Sequence, residues 1–191
     1  SPFFNAVGRH SIMNDPAFQN GDYYDSGVPA TGLSVARMLA HITYLSDEGI
    51  HAKFGRRLQD KDKPDFDFGI EFQVESYLDY QGRSFVERFD ANSYLHITRA
   101  MDYYDAAGRW GEGDLTRACR RIQAETMVVS FSTDWLYTPA EGRDFATAMA
   151  RAGRPVTYIN LPSPFGHDAF LVEIDQLGPL VRNFVQREVG A

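Results

Sequence analysis

Two short loops carry side-chain types that could move a proton, an aspartate in one and a histidine in the other. The first, Ser132-Thr133-Asp134-Trp135, follows the apolar run 126–131, and the second, Pro162-Ser163-Pro164-Phe165-Gly166-His167-Asp168, follows the run 156–161. In an open α/β sheet the chemistry gathers in loops beyond the carboxyl ends of the strands, so Asp134 and His167 are expected on one edge, in neighbouring loops. There an aspartate can accept the Nδ1 proton of an imidazole and hold its tautomer, as the acid and base of a catalytic triad do. Another reading stands beside it at this stage: Asp134 caps the following helix, and His167 is an ordinary loop histidine.

A triad also needs a nucleophile, and the chain order serine, aspartate, histidine is that of α/β-hydrolase folds. Ser34 sits in Gly32-Leu33-Ser34-Val35-Ala36, a near miss to G-x-S-x-G. The preceding residues Asp25 to Ala30 are turn-rich and contain no strand, so Ser34 is expected in the first turn of a helix, not on a nucleophile elbow. No other serine fits better. Cys119 follows Arg117-Ala118, a basic setting that could lower a thiol pKa, but it too lacks a strand–turn–helix context and is expected to be a packed helix residue.

Arg37, His41 and Tyr44 recur at helical spacing and share one face. A guanidinium fork fits a carboxylate and a phenol offers a hydrogen bond, which suits a polar ligand; an arginine paired with a structural acid is the alternative. His10, His51 and His96 show no metal-ligand spacing with each other or with Cys119, and no glycine-rich phosphate loop is present, so neither a metal nor a nucleotide cradle is expected.

The elements that must position these residues fall into two kinds. Up to Trp110 the text is helical in period but polar and aromatic: residues 32–45 predict a helix capped by Thr31, and residues 90–104 a second, with Asp90 or Asn92 as its cap. Between them, residues 59–67 carry Asp60, Lys61, Asp62, Lys63, Asp65 and Asp67 without a period, and read as an exposed loop. Past Gly111, Gly113 and Asp114 the pattern changes. Residues 126–131 and 156–161 predict strands, 139–152 an alanine-rich helix closed by Gly153, and 175–189 a final helix. Strands alternating with helices mean a parallel α/β sheet, yet two strands cannot cover both faces, so the chain reads as an incomplete α/β domain. The division expected is residues 1–113 and 114–191.

Composition narrows the partners. The apolar fraction of 43% is that of a globular chain. Nineteen basic against 26 acidic residues give a net charge of -7, which disfavours a general grip on nucleic acid or an anionic membrane. No stretch is long and apolar enough to span a bilayer and no signal-peptide pattern opens the chain, so a soluble, cytoplasmic protein is expected. One cysteine excludes an internal disulfide framework.

The ordered motifs resemble a known family. They are Gly32-Leu33 through Ala36-Arg37 to Thr43-Tyr44-Leu45-Ser46, Lys53-Phe54-Gly55-Arg56, Val74-Glu75-Ser76-Tyr77-Leu78 with Gln81-Gly82, Arg88-Phe89-Asp90-Ala91-Asn92-Ser93-Tyr94-Leu95, Ser132-Thr133-Asp134-Trp135-Leu136, and Gly166-His167-Asp168-Ala169-Phe170-Leu171. Over nearly its whole length the chain resembles the C-terminal part of the homoserine O-acyltransferases. The resemblance implies the last strands and helices of an α/β-hydrolase fold plus a helical lid, and ping-pong acyl transfer from acetyl-CoA or succinyl-CoA to homoserine or serine in methionine biosynthesis. It makes Asp134 the triad acid and His167 the base. Arg37 and Tyr44 would line the amino-acid pocket, and Asp168 would receive the substrate ammonium. It further implies a homodimer formed through the lid helices. The family's serine nucleophile lies in an N-terminal half that these residues do not include, so the isolated chain is expected to be inactive unless that half joins it. An esterase of the same fold and a non-catalytic lid fragment are the alternatives.

Overall fold

The computed structural model describes residues 2–189. Their elements run α1 (Pro2–Met13), α2 (Ala30–Tyr44), α3 (Asp47–Lys53), α4 (Gln73–Val86), α5 (Ala91–Tyr103), α6 (Ala106–Gly111), α7 (Leu115–Cys119), β1 (Thr126–Phe131), α8 (Pro139–Arg151), β2 (Val156–Leu161), α9 (Ala169–Val172) and α10 (Ile174–Val189). Chain contacts divide them into two compact units. One comprises the residues up to Thr43 and Ile50–Tyr104; the other comprises Tyr44–Gly49 and everything from Asp105 on.

The first unit is helical. Ile12, Phe18, Tyr23, Leu33, Ala36, Phe85 and Ala91 form its core. The sequence predicts Thr31 as the cap of α2, and the structure places the cap elsewhere. Thr31 lies inside the helix, and Asp15, far away in the chain, accepts from the Gly32 amide at 2.8 Å. The other oxygen of Asp15 accepts from Ala17 N at 2.9 Å and starts a 3₁₀ turn, so one carboxylate satisfies two helical beginnings. Gly32 is fixed by close approach: a Cβ there would lie 2.5 Å from Ser11 O and 2.6 Å from Ile12 Cα. For α5 the cap is Asp90, which accepts from Ser93 N at 2.6 Å.

The charged stretch between α3 and α4 is exposed, as its composition predicts, but it has a fold of its own. Leu58 and Phe72 form an antiparallel bridge at its neck. Inside it, Glu71 accepts from the amides of Asp65 and Phe66 at 2.7 and 3.0 Å, and Phe66 is left 91% exposed.

In the second unit β1 and β2 pair in parallel, in register from Thr126 opposite Val156 to Phe131 opposite Leu161. Helix α8 connects them. Thr138 starts it with a reciprocal cap, accepting from Glu141 N at 3.3 Å while Glu141 accepts from Thr138 N at 2.9 Å. Met149 and Ala148 of α8 pack with Cys119 in a small core. Among the described residues β1 and β2 form a two-stranded sheet that is only partly buried, the incomplete α/β arrangement that the sequence predicts.

Candidate active site

Both loops leave the sheet at its carboxyl edge because the strands are parallel and in register: Phe131 and Leu161 are partners, and the next residues begin the two loops. The loops are stitched together by hydroxyl groups. Ser132 Oγ accepts from Ser163 N at 3.0 Å and donates to Ser163 O at 3.3 Å. Thr133 Oγ1 donates to Ser163 O at 2.6 Å and accepts from Gly166 N at 3.0 Å. The residues that follow each stitch then meet, with His167 Nδ1 lying 2.9 Å from Asp134 Oδ2.

The other oxygen of Asp134 accepts from the amides of Leu136 and Tyr137 at 2.9 and 3.0 Å. Asp134 does not cap the following helix, which Thr138 begins; one of its oxygens organises the local turn while the other takes the imidazole. The Asp134 side chain is 7% exposed and that of His167 is 23% exposed, so the carboxylate is shielded and the imidazole is reachable. Burial pushes the Asp134 carboxyl up, but the His167 hydrogen bond and the two backbone N–H groups outweigh it and hold the group below the usual carboxylate range. An anion there fixes the imidazole tautomer with Nδ1 as donor.

Aromatic rings surround the histidine. Tyr137, Phe170 and Tyr44 stand with centroids 5.2, 5.5 and 5.7 Å from that of His167. Tyr44 is brought there by the Tyr44–Gly49 segment, where Trp135 Nε1 donates to Leu45 O at 3.2 Å and Ser46 Oγ donates to Pro164 O. Gly166 permits this approach. Its φ is +64°, and a Cβ would fall 2.5 Å from Ser46 N. Beside the pair a cavity of about 430 Å³ is lined by Val128, Phe131, Tyr137, Glu141, His167 and Phe170.

Of the five residues that the sequence singles out, the structure brings Asp134, His167 and Tyr44 together. Asp168 is next to His167 in the 3₁₀ turn Gly166–Asp168, and its side chain makes no capping hydrogen bond to α9. Arg37 belongs to the first unit, where its guanidinium carbon lies 4.9 Å from the Phe85 ring centroid. His41, on the same stripe, lies with Nδ1 2.9 Å from Tyr77 Oη. Burial, aided by the positive charges of Arg37, Lys53 and Arg88, pulls its pKa down to about 4.

The rejected nucleophiles stay rejected. Ser34 lies within α2, and Cys119 is buried, its thiol pushed up by burial and by Asp114. Sequence reasoning missed Thr133, Ser163, Ser46, Gly166, Tyr137 and Phe170; the partners that Thr133, Ser46 and Tyr137 meet in another loop leave no local signal. Among the described residues no group of three His, Cys, Asp or Glu side chains could hold a metal ion, and no helix is long and apolar enough to cross a membrane.

Parallel strands with an acid and a base at their carboxyl ends define part of an α/β-hydrolase fold, and the solved structures agree. The chain is similar to a homoserine O-acetyltransferase from Bacillus anthracis, with a TM-score of 0.83 and 18% identity over 95% of this chain and 48% of that one. It is also similar to an esterase, with a TM-score of 0.80 and 20% identity over 96% of this chain and 50% of that one. Sequence relatives are nearer. A homoserine O-acetyltransferase of Methanococcus vannielii is 47% identical over 97% of this chain and 37% of its own length. A homoserine O-succinyltransferase of Ralstonia nicotianae is 53% identical over 98% of this chain and 47% of its own. No family model matches. Over the matched stretch the chain belongs to the homoserine O-acyltransferase family, and it spans 37% and 47% of the length of these two curated relatives.

Proposed function

We propose that this chain supplies the acid and the base of an acyl-CoA-dependent O-acyltransferase acting on homoserine or serine. The observation that carries the reading is the Asp134–His167 pair, 2.9 Å apart beyond the carboxyl ends of adjacent parallel strands, in a chain about half identical to homoserine acyltransferases. Among the described residues no serine stands at a strand–turn–helix elbow, and the relatives are more than twice as long, so the nucleophilic serine is assigned to further polypeptide of the working enzyme.

In the first half-reaction His167 takes the proton of that serine as its oxygen attacks the thioester carbonyl. The Asp134 carboxylate stabilises the imidazolium, which then delivers the proton to the departing CoA sulfur. In the second half-reaction His167 removes the proton of the acceptor hydroxyl as that oxygen attacks the acyl-serine, and it returns a proton to the serine as the ester leaves. Arg37 is assigned to the acceptor carboxylate, Asp168 to its ammonium, and Tyr44 to the acceptor side of the base. A plain esterase has no use for a clamp on a zwitterion, which favours the transferase. The exposed side chains of Ile97 and Met101, four residues apart on α5, support pairing with a second copy through the helical unit.

The test is transfer by the full-length protein from acetyl-CoA or succinyl-CoA to homoserine or serine. Arg37→Lys should raise the acceptor KM by about 10-fold or more, the loss of a bidentate charged contact, and leave the burst of CoA release near normal. Equal loss in both half-reactions removes Arg37 from the acceptor site; hydrolysis without transfer removes the transferase reading.

A further inference from the structure

We propose that Thr133 is a positioning residue that sets His167 for proton transfer by clamping the backbone from which the histidine projects. The proposal rests on the acyl-transfer reading above. Asp134 holds the imidazole by one edge, and a ring held at one edge still pivots unless its Cα is fixed. The residue before His167 is Gly166, whose positive φ of +64° gives the backbone here a glycine's freedom. Its amide donates to Thr133 Oγ1 at 3.0 Å, and the same hydroxyl donates to Ser163 O at 2.6 Å. One side chain thus ties both arms of the turn that ends in His167. The neighbouring residues 133 and 134 grip the loop in sequence, the hydroxyl taking backbone and the carboxylate taking the ring.

The contribution of Thr133 is separable from that of Ser132. The Ser132 hydroxyl bonds Ser163, accepting from the Ser163 N–H at 3.0 Å and donating to the Ser163 carbonyl at 3.3 Å. Without the Thr133 hydroxyl the base of the loop stays fastened by Ser132, while Gly166 N, in a buried residue, loses its acceptor. The loop would persist with its catalytic end loosened, and displacement of a reacting group by about 1 Å costs on the order of 10²-fold in rate.

The experiment compares full-length wild type, Thr133→Val and Thr133→Ser. The valine variant should lower kcat in both half-reactions by about 10²-fold, with KM for acyl-CoA and acceptor within about twofold of wild type. The serine variant, which restores the hydroxyl, should recover most of the rate. The low-field proton shared by His167 Nδ1 and Asp134, read by proton NMR, should shift or broaden in Thr133→Val and return in Thr133→Ser. Should the valine variant not fold, Thr133→Ala removes the same bonds and is read by the same criteria. Wild-type kcat in Thr133→Val, a loss confined to KM, or a serine variant as slow as valine overturns the proposal. A wild-type protein that transfers no acyl group refutes the acyl-transfer reading instead; the clamp is then decided by the proton signal, and an unchanged signal in Thr133→Val overturns it.

Discussion

The two units hold themselves together by different means. In the first, a contiguous apolar core from Ile12 to Ala91 does the work, joined by a buried ion pair, Arg9 with Asp102 at 2.6 Å. In the second, the apolar core is small, and the functional loops are fastened by hydrogen bonds from Ser46, Ser132 and Thr133. Hydrophobic packing is non-directional and tolerates small shifts, whereas hydrogen bonds fix distance and angle. The Asp134–His167 contact depends on the second kind of constraint, and the core of the helical unit rests on the first.

The sharpest way to break the comparison is to remove chemistry and leave packing untouched. In the full-length enzyme, His167→Ala should lower kcat by on the order of 10⁶-fold, as loss of a triad base does, with a nearly unchanged unfolding midpoint because the ring is partly exposed. Asp134→Asn should cost about 10⁴-fold by favouring the wrong tautomer, read as acyl-enzyme formation under burst conditions. A histidine variant of near-normal rate would remove the pair from the mechanism.

Leu33→Ala does the reverse. Leu33 is fully buried in the first unit, so truncation should cost about 2–5 kcal/mol in denaturant unfolding. The low-field proton between His167 and Asp134 should not move. If it disappears with Leu33, the two units do not keep separate accounts of order.

The smallest expected effect separates the units by pH. His41 has its pKa pulled to about 4, below the ordinary value of roughly 6.5, so between those values the unfolded chain binds a proton that the folded chain refuses. Stability of the first unit should therefore fall as pH drops from about 6.5 to about 4 and then level off, and His41→Gln should flatten that slope. Asp134 is held below its usual range, so its contribution is full above about pH 4 and is lost only as pH falls through the lowered value. Denaturant midpoints at stepped pH check both. An unchanged slope in His41→Gln would assign the acid sensitivity to another group.

Much of this was legible in the amino-acid order. Both strands lie where β-branched runs stand between turn residues, and the Asp134–His167 encounter follows from parallel strands of equal length and shared register. What hid was non-local. Thr31 looks like a cap because it is a threonine at a helix start, but Asp15 reaches Gly32 first, and no local pattern announces a carboxylate from that far back. The stripe Arg37, His41, Tyr44 is correct as periodicity, yet Tyr44 is the residue at which chain contacts pass to the second unit, where its ring faces His167. Hydroxyls reveal themselves only when their partners are known, so Ser132 and Thr133 read as loop filler beside a conspicuous aspartate.

Asp15 is, in effect, a position with two clients. Its two oxygens serve Ala17 and Gly32, amides that start different helical segments. Asparagine keeps one acceptor and turns the other into a donor facing an N–H; serine offers a single oxygen; glutamate carries both oxygens but places them one methylene too far out. Each exchange that counts as conservative at an ordinary helix cap leaves one of the two unanswered here. Variation at this position should therefore be narrow, for a reason that neither segment, inspected alone, would disclose.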